Sequence, residues 1–227
     1  MKMWLTVLVA LLIASAIIPV HAETTINVTV DGALLITYEF KDLNQTVYDQ
    51  ARTQFTANKV PEAIVSTLQQ KNQTVQWGLP PEPLVFEDAS RTIRSSFFLG
   101  GSRIVSLSID KTQFKRTYEV KTDWRRFKVD LTDTYSIDFA QYVGTPVAEW
   151  KKPDETTFFF ENPETEAEHV AFYIKVPASA SGVRASGDTV FFDMPPTLED
   201  QLLYSPFPVL AALAVILVII LLYRRVR

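Results

Sequence analysis

The chain is apolar at both ends and polar between them, which limits its architecture more than any motif does. Residues 4–18 (WLTVLVALLIASAII) follow a single Lys2 and lead to Pro19-Val20-His21-Ala22. A short basic start, an apolar core and a small-residue exit make up an export signal, with cleavage expected after Ala22. An uncleaved N-terminal anchor is the alternative. Residues 207–223 (FPVLAALAVILVIILLY) carry no charge and run into Arg224-Arg225-Val226-Arg227. At about 1.5 Å per residue they span about 25 Å, the short end of the membrane range. Arginines beyond the span mark the cytoplasmic side. The expected topology is a single-pass protein of the cell membrane, with its N-terminal domain extracellular.

The tail carries one resemblance. Ser205-Pro206-Phe207-Pro208, an apolar helix and Arg-Arg-Val-Arg resemble the three-part sorting tails that archaeosortases process on archaeal surface proteins. Those tails begin with Pro-Glu-Phe or Pro-Gly-Phe, whereas here nothing separates Pro206 from Phe207. The resemblance covers residues 205–227 and implies either a permanent helix or a processed tail. It names no family for the rest of the chain.

The body between the ends lacks cysteine, so disulfides and thiolate metal sites are excluded and an ordinary apolar core must hold it. That composition points to a prokaryotic envelope protein, and with the tail to an archaeal one. Three Asn-x-Thr triplets, at Asn27, Asn44 and Asn72, are candidate N-glycosylation sites of an exported chain. Asn27 falls in a strand pattern, so its modification needs a solvated face.

Charge is laid out in blocks. Residues 23–89 sum to −5, residues 90–130 to +6 and residues 131–200 to −9. Such blocks arise from pairing between neighbouring elements or from a docking surface.

Apolar periodicity begins with a hairpin: Ile26, Val28 and Val30 alternate before Asp31-Gly32, and Leu34, Ile36, Tyr38 and Phe40 alternate after it. Two helices are expected next. The first is capped by Asn44 and carries Val47, Ala51 and Phe55; the second opens at Pro61 and carries Ile64, Val65 and Leu68. Trp77-Gly78-Leu79-Pro80-Pro81-Glu82-Pro83 breaks the pattern. Short strands then follow to residue 193, with a hairpin expected at Gly100-Gly101 and another around Asp123-Trp124-Arg125. The expected fold is mainly β (α+β). A hairpin-plus-two-helix subdomain (23–79) precedes an antiparallel β-sandwich (80–193), a juxtamembrane linker (194–206), a transmembrane helix (207–223) and a four-residue tail.

Catalytic motifs are absent from the sequence. One histidine, His169, lies beyond the expected cut, and no Gly-x-Ser-x-Gly elbow accompanies it. There is no phosphate-binding glycine loop, so nucleotides are unsupported, and a net-acidic exported domain is a poor match for nucleic acid. No catalytic residue, cofactor or metal is assigned. The leading expectation is a non-enzymatic module that binds a protein or envelope-glycan partner beside the membrane. The alternative is a surface carbohydrate-binding or carbohydrate-hydrolysing protein using Asp123, Asp130, Asp133 and Asp138, which lie among aromatic residues.

Overall fold

A computed structural model describes residues 20–29, 31–70, 75–112, 115–143, 150–165, 168–204 and 212–217. The chain is mainly β, built from antiparallel sheets with one parallel pairing. The first hairpin forms as the alternation requires. Strand β1 (Val20–Val28) buries every second residue, and β2 (Leu34–Lys41) does the same. Between them Asp31-Gly32 makes the turn, with Gly32 in the left-handed region at φ +84°. A Cβ there would stand 3.2 Å from Cε1 of Tyr118, so both backbone shape and space favour glycine.

Helix α1 (Gln45–Gln54) starts where Asn44 caps it, its Oδ1 accepting from the Thr46 amide at 2.9 Å. Helix α2 (Lys59–Gln70) carries Pro61 in its first turn and buries Val60, Ile64 and Leu68. Two short strands, β3 (Gln76–Gly78) and β4 (Leu84–Glu87), both pair with β5 (Thr92–Gly100). Next come β6 (Val105–Asp110), β7 (Lys115–Lys121), a 3-10 turn at Asp123–Arg125, β8 (Lys128–Asp130), β9 (Ser136–Asp138) and a second 3-10 turn at Phe139–Gln141. The chain continues through β10 (Thr157–Thr165), β11 (Glu168–Lys175), β12 (Ser181–Ser186), β13 (Thr189–Met194) and helix α3 (Leu198–Tyr204).

The strands form a seven-stranded sheet in the order β10-β11-β1-β2-β5-β3, with β4 also on β5. A four-stranded sheet runs β12-β13-β7-β6, and β8 and β9 make a small ribbon. The N-terminal hairpin therefore lies at the middle of the large sheet, between β11 and β5, rather than in a subdomain of its own. Strands on both sides of residues 79 and 80 share that sheet.

Two expected hairpins do not form. Strands β5 and β6 belong to different sheets, and Gly101, at φ +123°, turns the chain from one to the other. Likewise β7 and β8 do not pair; Asp123–Arg125 is the 3-10 turn through which the chain leaves the four-stranded sheet. In both places a tight turn between apolar runs suggested local pairing, and distant partners with matching faces won.

The core lies on the inner face of the large sheet. Tyr38 and Phe40 meet Phe139 at 5.4 and 6.5 Å between ring centroids, Phe40 meets Phe55 at 6.0 Å, and Phe127 meets Tyr38 at 5.5 Å. The second 3-10 turn, Phe127 just ahead of β8 and Phe55 at the C-terminal cap of α1 thus cover this face with aromatic rings, each contributing about 1.5–3 kcal/mol by burial. Tyr118 and Phe192 stack at 5.1 Å on the smaller sheet and join the same apolar cluster. Trp77 packs half-buried against that cluster rather than standing free.

No helix among the described residues is long and apolar enough to cross a membrane. Within the expected span only residues 212–217 are described. They are helical, and Leu213, Val215, Ile216 and Leu217 are each more than half exposed.

Candidate functional site

The four candidate acids do not share one place. Asp130 and Asp133 line a hollow of about 430 Å³ together with Lys59, Lys128, Tyr135 and Ser136. Local sequence explains its walls. The β8–β9 ribbon turns through Leu131–Tyr135, where Thr132 Oγ1 accepts from the amides of Thr134 and Tyr135 at 3.2 and 2.9 Å. The Asp133 amide donates to Gln54 Oε1 at 3.0 Å, which ties the turn to α1. Asp138 is spent on structure, its Oδ1 capping the second 3-10 turn by accepting from the Ala140 amide at 3.0 Å. Asp123 opens the first 3-10 turn. Neither Asp123 nor Asp138 lines the hollow.

Paired-carboxylate hydrolysis needs one carboxyl shielded from water and another solvated. Asp130 and Asp133 are both exposed, and Asp130 lies 3.9 Å from Lys128 Nζ. The hollow offers carboxylates, ammonium groups and hydroxyls to a polar ligand, without the asymmetry that general acid–base chemistry requires. No group of three or more metal-ligating side chains gathers among the described residues.

The candidate glycosylation sites fall differently. Asn27 is half-buried on the face of β1 opposite the core, beside Leu35 and Lys175 in register. Asn44 and Thr46 are exposed. The cap at Asn44 uses its side-chain oxygen, not the amide nitrogen that a glycan takes. Asn72 lies outside the described residues.

The basic block has a structural use that composition alone left open. Arg94 bonds Glu39 at 2.7 Å and Glu87 at 2.8 Å, reaching back into the first acidic block. Lys115 reaches forward to Asp193 at 2.7 Å. Arg116 holds Asp200 through Nε and, at 2.9 Å, through Nη2. Arg125 and Arg126 both reach Asp188, at 3.3 and 2.8 Å. The block is therefore neutralised largely within the fold.

Sequence reasoning missed Asp188, Asp200 and the interior position of Arg125. The side chain of Arg125 is fully buried. Its guanidinium lies 4.7 Å from the Trp150 ring centroid and 5.0 Å from that of Phe172, and Nε donates to the Thr122 carbonyl at 2.8 Å. Among the described residues Nη1 finds no hydrogen-bond partner, nor does Ser95 Oγ. Thr24, Tyr38 and Ser95 occupy one row across β1, β2 and β5. Burial lowers the Arg125 pKa to about 10 against the opposing pull of Asp188, and burial raises that of Tyr38. Only an Asp in the β12–β13 turn, invisible as a partner until the sheets assemble, could have flagged this arginine.

At the far end, Asp200 belongs to α3. Its carboxylate accepts from the Thr197 amide and hydroxyl, both at 2.9 Å, while Arg116 binds it from β7. The Arg116 guanidinium holds the Asp200 pKa down at about 2. The start of α3 is thus clasped to the four-stranded sheet.

No family model, no curated protein and no solved structure matches the chain.

Proposed function

We propose that the chain is a membrane-anchored extracytoplasmic binding or structural module: an accessory subunit or envelope component of a prokaryote, archaeal by its tail, with a sandwich-like β body. The observation that carries this reading is the helical run Ala212–Leu217, whose apolar side chains are all exposed. Apolar surface on a continuous helix requires lipid or protein to cover it, and a helix satisfies its own backbone groups in lipid. The clasp at Asp200 supports the same reading, because it fastens α3 to the body and leaves only residues 205–211 in sequence between α3 and that segment. Interiors filled by aromatic rings and a polar hollow without acid–base asymmetry favour binding over catalysis.

Solubilising the full chain from its membranes in mild detergent should recover a stoichiometric protein or glycan partner. Recovery as a lone monomer would overturn the binding role. The intact mass of the same material distinguishes a retained C-terminal helix, which we favour, from a tail cut near Pro206.

The hollow at Asp130 and Asp133 gives a specific reason to keep a second reading, a carbohydrate-binding or carbohydrate-hydrolysing protein. Asp130→Asn and Asp133→Asn should then weaken binding to envelope glycans, and Asp123→Asn and Asp138→Asn should not. Equal binding by all four variants would end that reading.

A further inference from the structure

The first strand of the large sheet begins before the expected cut. Val20, His21 and Ala22 belong to β1 and pair with Glu168, His169 and Val170 on β11. On the other side His21 pairs with Lys41 and Ala22 with Phe40 on β2. Ala22 is 1% exposed and Val20 7% exposed, so both contribute to the core. His21 Nδ1 also lies 3.6 Å from Asp42 Oδ2, and its ring meets His169 edge-on at 6.4 Å.

Cleavage after Ala22 would remove three residues from a strand paired on both sides. It would strip ladder partners from β2 and β11, open space beside Phe40 and Val170, and place a new ammonium group at Glu23 inside the sheet. Unpaired backbone groups and a charge in that position are both costly.

A better exit lies upstream. Ala14-Ser15-Ala16 supplies a small residue, a spacer and a small residue directly after the apolar run Trp4–Ile13. That run falls within the length of about 7–15 residues usual for a signal core. A cut after Ala16 leaves Ile17-Ile18-Pro19 ahead of Val20, so every residue of β1 from Val20 to Val28 is kept.

We propose that the exported chain is processed after Ala16, giving a mature protein that begins at Ile17 with β1 complete. The inference rests on the export reading above, and its test separates the two. The full chain is produced in a prokaryotic secretory host, and its N-terminus is sequenced and its intact mass measured. The expected start is Ile17; a start at Glu23 or at Met1 overturns the proposal. Ala16→Leu should stop processing, and Ala22→Leu should leave it unchanged. The reverse pattern overturns it, and because cleavage is read from sequence and mass, the result stands whether or not Ala22→Leu folds. Protease is also added to intact cells. Trimming of residues 23–200 in a chain that starts at Met1 sinks the cut alone, whereas a protected chain that starts at Met1 sinks export and the cut together.

Discussion

Arg116 and Arg125 come from the same basic block, yet they do opposite work in two regions of the molecule. Around Arg116 the fold is held by charge at a seam. A carboxylate meets the guanidinium through two nitrogens, Thr197 completes the set, and α3 is fastened to β7. Around Arg125 the fold is held by aromatic packing, and the cation is enclosed with it. Trp150 and Phe172 lie against its guanidinium, Asp188 is shared with Arg126, and one guanidinium nitrogen finds no hydrogen-bond partner among the described residues. The Arg116–Asp200 pair is itself largely covered, at 18% and 6% exposed, but its hydrogen bonds are made on both sides; Arg125, at 0%, is enclosed outright, and a fully enclosed cation costs stability.

The sharpest way to break this contrast is at Arg125. Arg125→Ala should cost about 3–5 kcal/mol in urea unfolding, because it opens a cavity between two rings and unbalances a buried cluster. Arg125→Met should recover most or all of that loss, since an apolar chain of similar volume suits Trp150 and Phe172 without a charge to bury. If Arg125→Met is as damaging as Arg125→Ala, the cation itself is stabilising and the contrast fails.

The hairpin turn that touches both sheets comes next. Gly32→Ala should cost about 1–2 kcal/mol, from a left-handed backbone that disfavours any side chain and a Cβ crowded against Tyr118. Its effect should add to that of Arg125→Met within measurement error if the two regions are energetically separate.

Substitution at the seam should barely move the unfolding midpoint. Arg116→Ala should instead abolish hydrogen-exchange protection at the start of α3 and expose residues 194–204 to protease, leaving the core amides slow. A drop in global stability as large as that of Arg125→Ala would show that the seam bears on the core.

The smallest effect is in acid. Asp200 is held down at about 2 by Arg116, against 3.8 for an ordinary aspartate, so the folded state binds its proton later than the unfolded state does. This contribution is fully present above pH 3.8 and is lost as pH falls toward 2. Glu39, opposed by burial but outweighed by Arg94 and Lys41, is lowered in the same sense. Thermal midpoints should thus slide downward in this acid range, with a shallower slope in Asp200→Asn.

Local patterns in the sequence foretold local structure. Alternation over Ile26–Val28 and Leu34–Phe40, the Asp31-Gly32 turn, the Asn44 cap and Pro61 in the first turn of α2 all appear where the residue types place them. Pairing over distance was not legible. Strand period says which face is apolar but not which strand lies alongside, so Gly100-Gly101 read as a hairpin although its flanking strands part company. Strand β12 was missed because Ser181–Ser186 at an edge is mostly exposed and carries few apolar residues. The block charges were visible, and their targets were not, because Asp188 and Asp200 reach Arg125 and Arg116 only across the finished tertiary structure. For the acids the sequence grouped by proximity what the fold separates: two face one hollow, and two are used in turns.

The side-by-side alignment of β1 with β11 has a consequence for biogenesis. These strands run parallel, with Val20 opposite Glu168, so the earliest segment of the folded body waits for almost the latest. A chain emerging amino-end first cannot close its largest sheet until residue 175 has arrived, and late closure of distant partners makes folding slow. Such a body stays pliable while the chain is being made and becomes rigid only when nearly all of it has emerged.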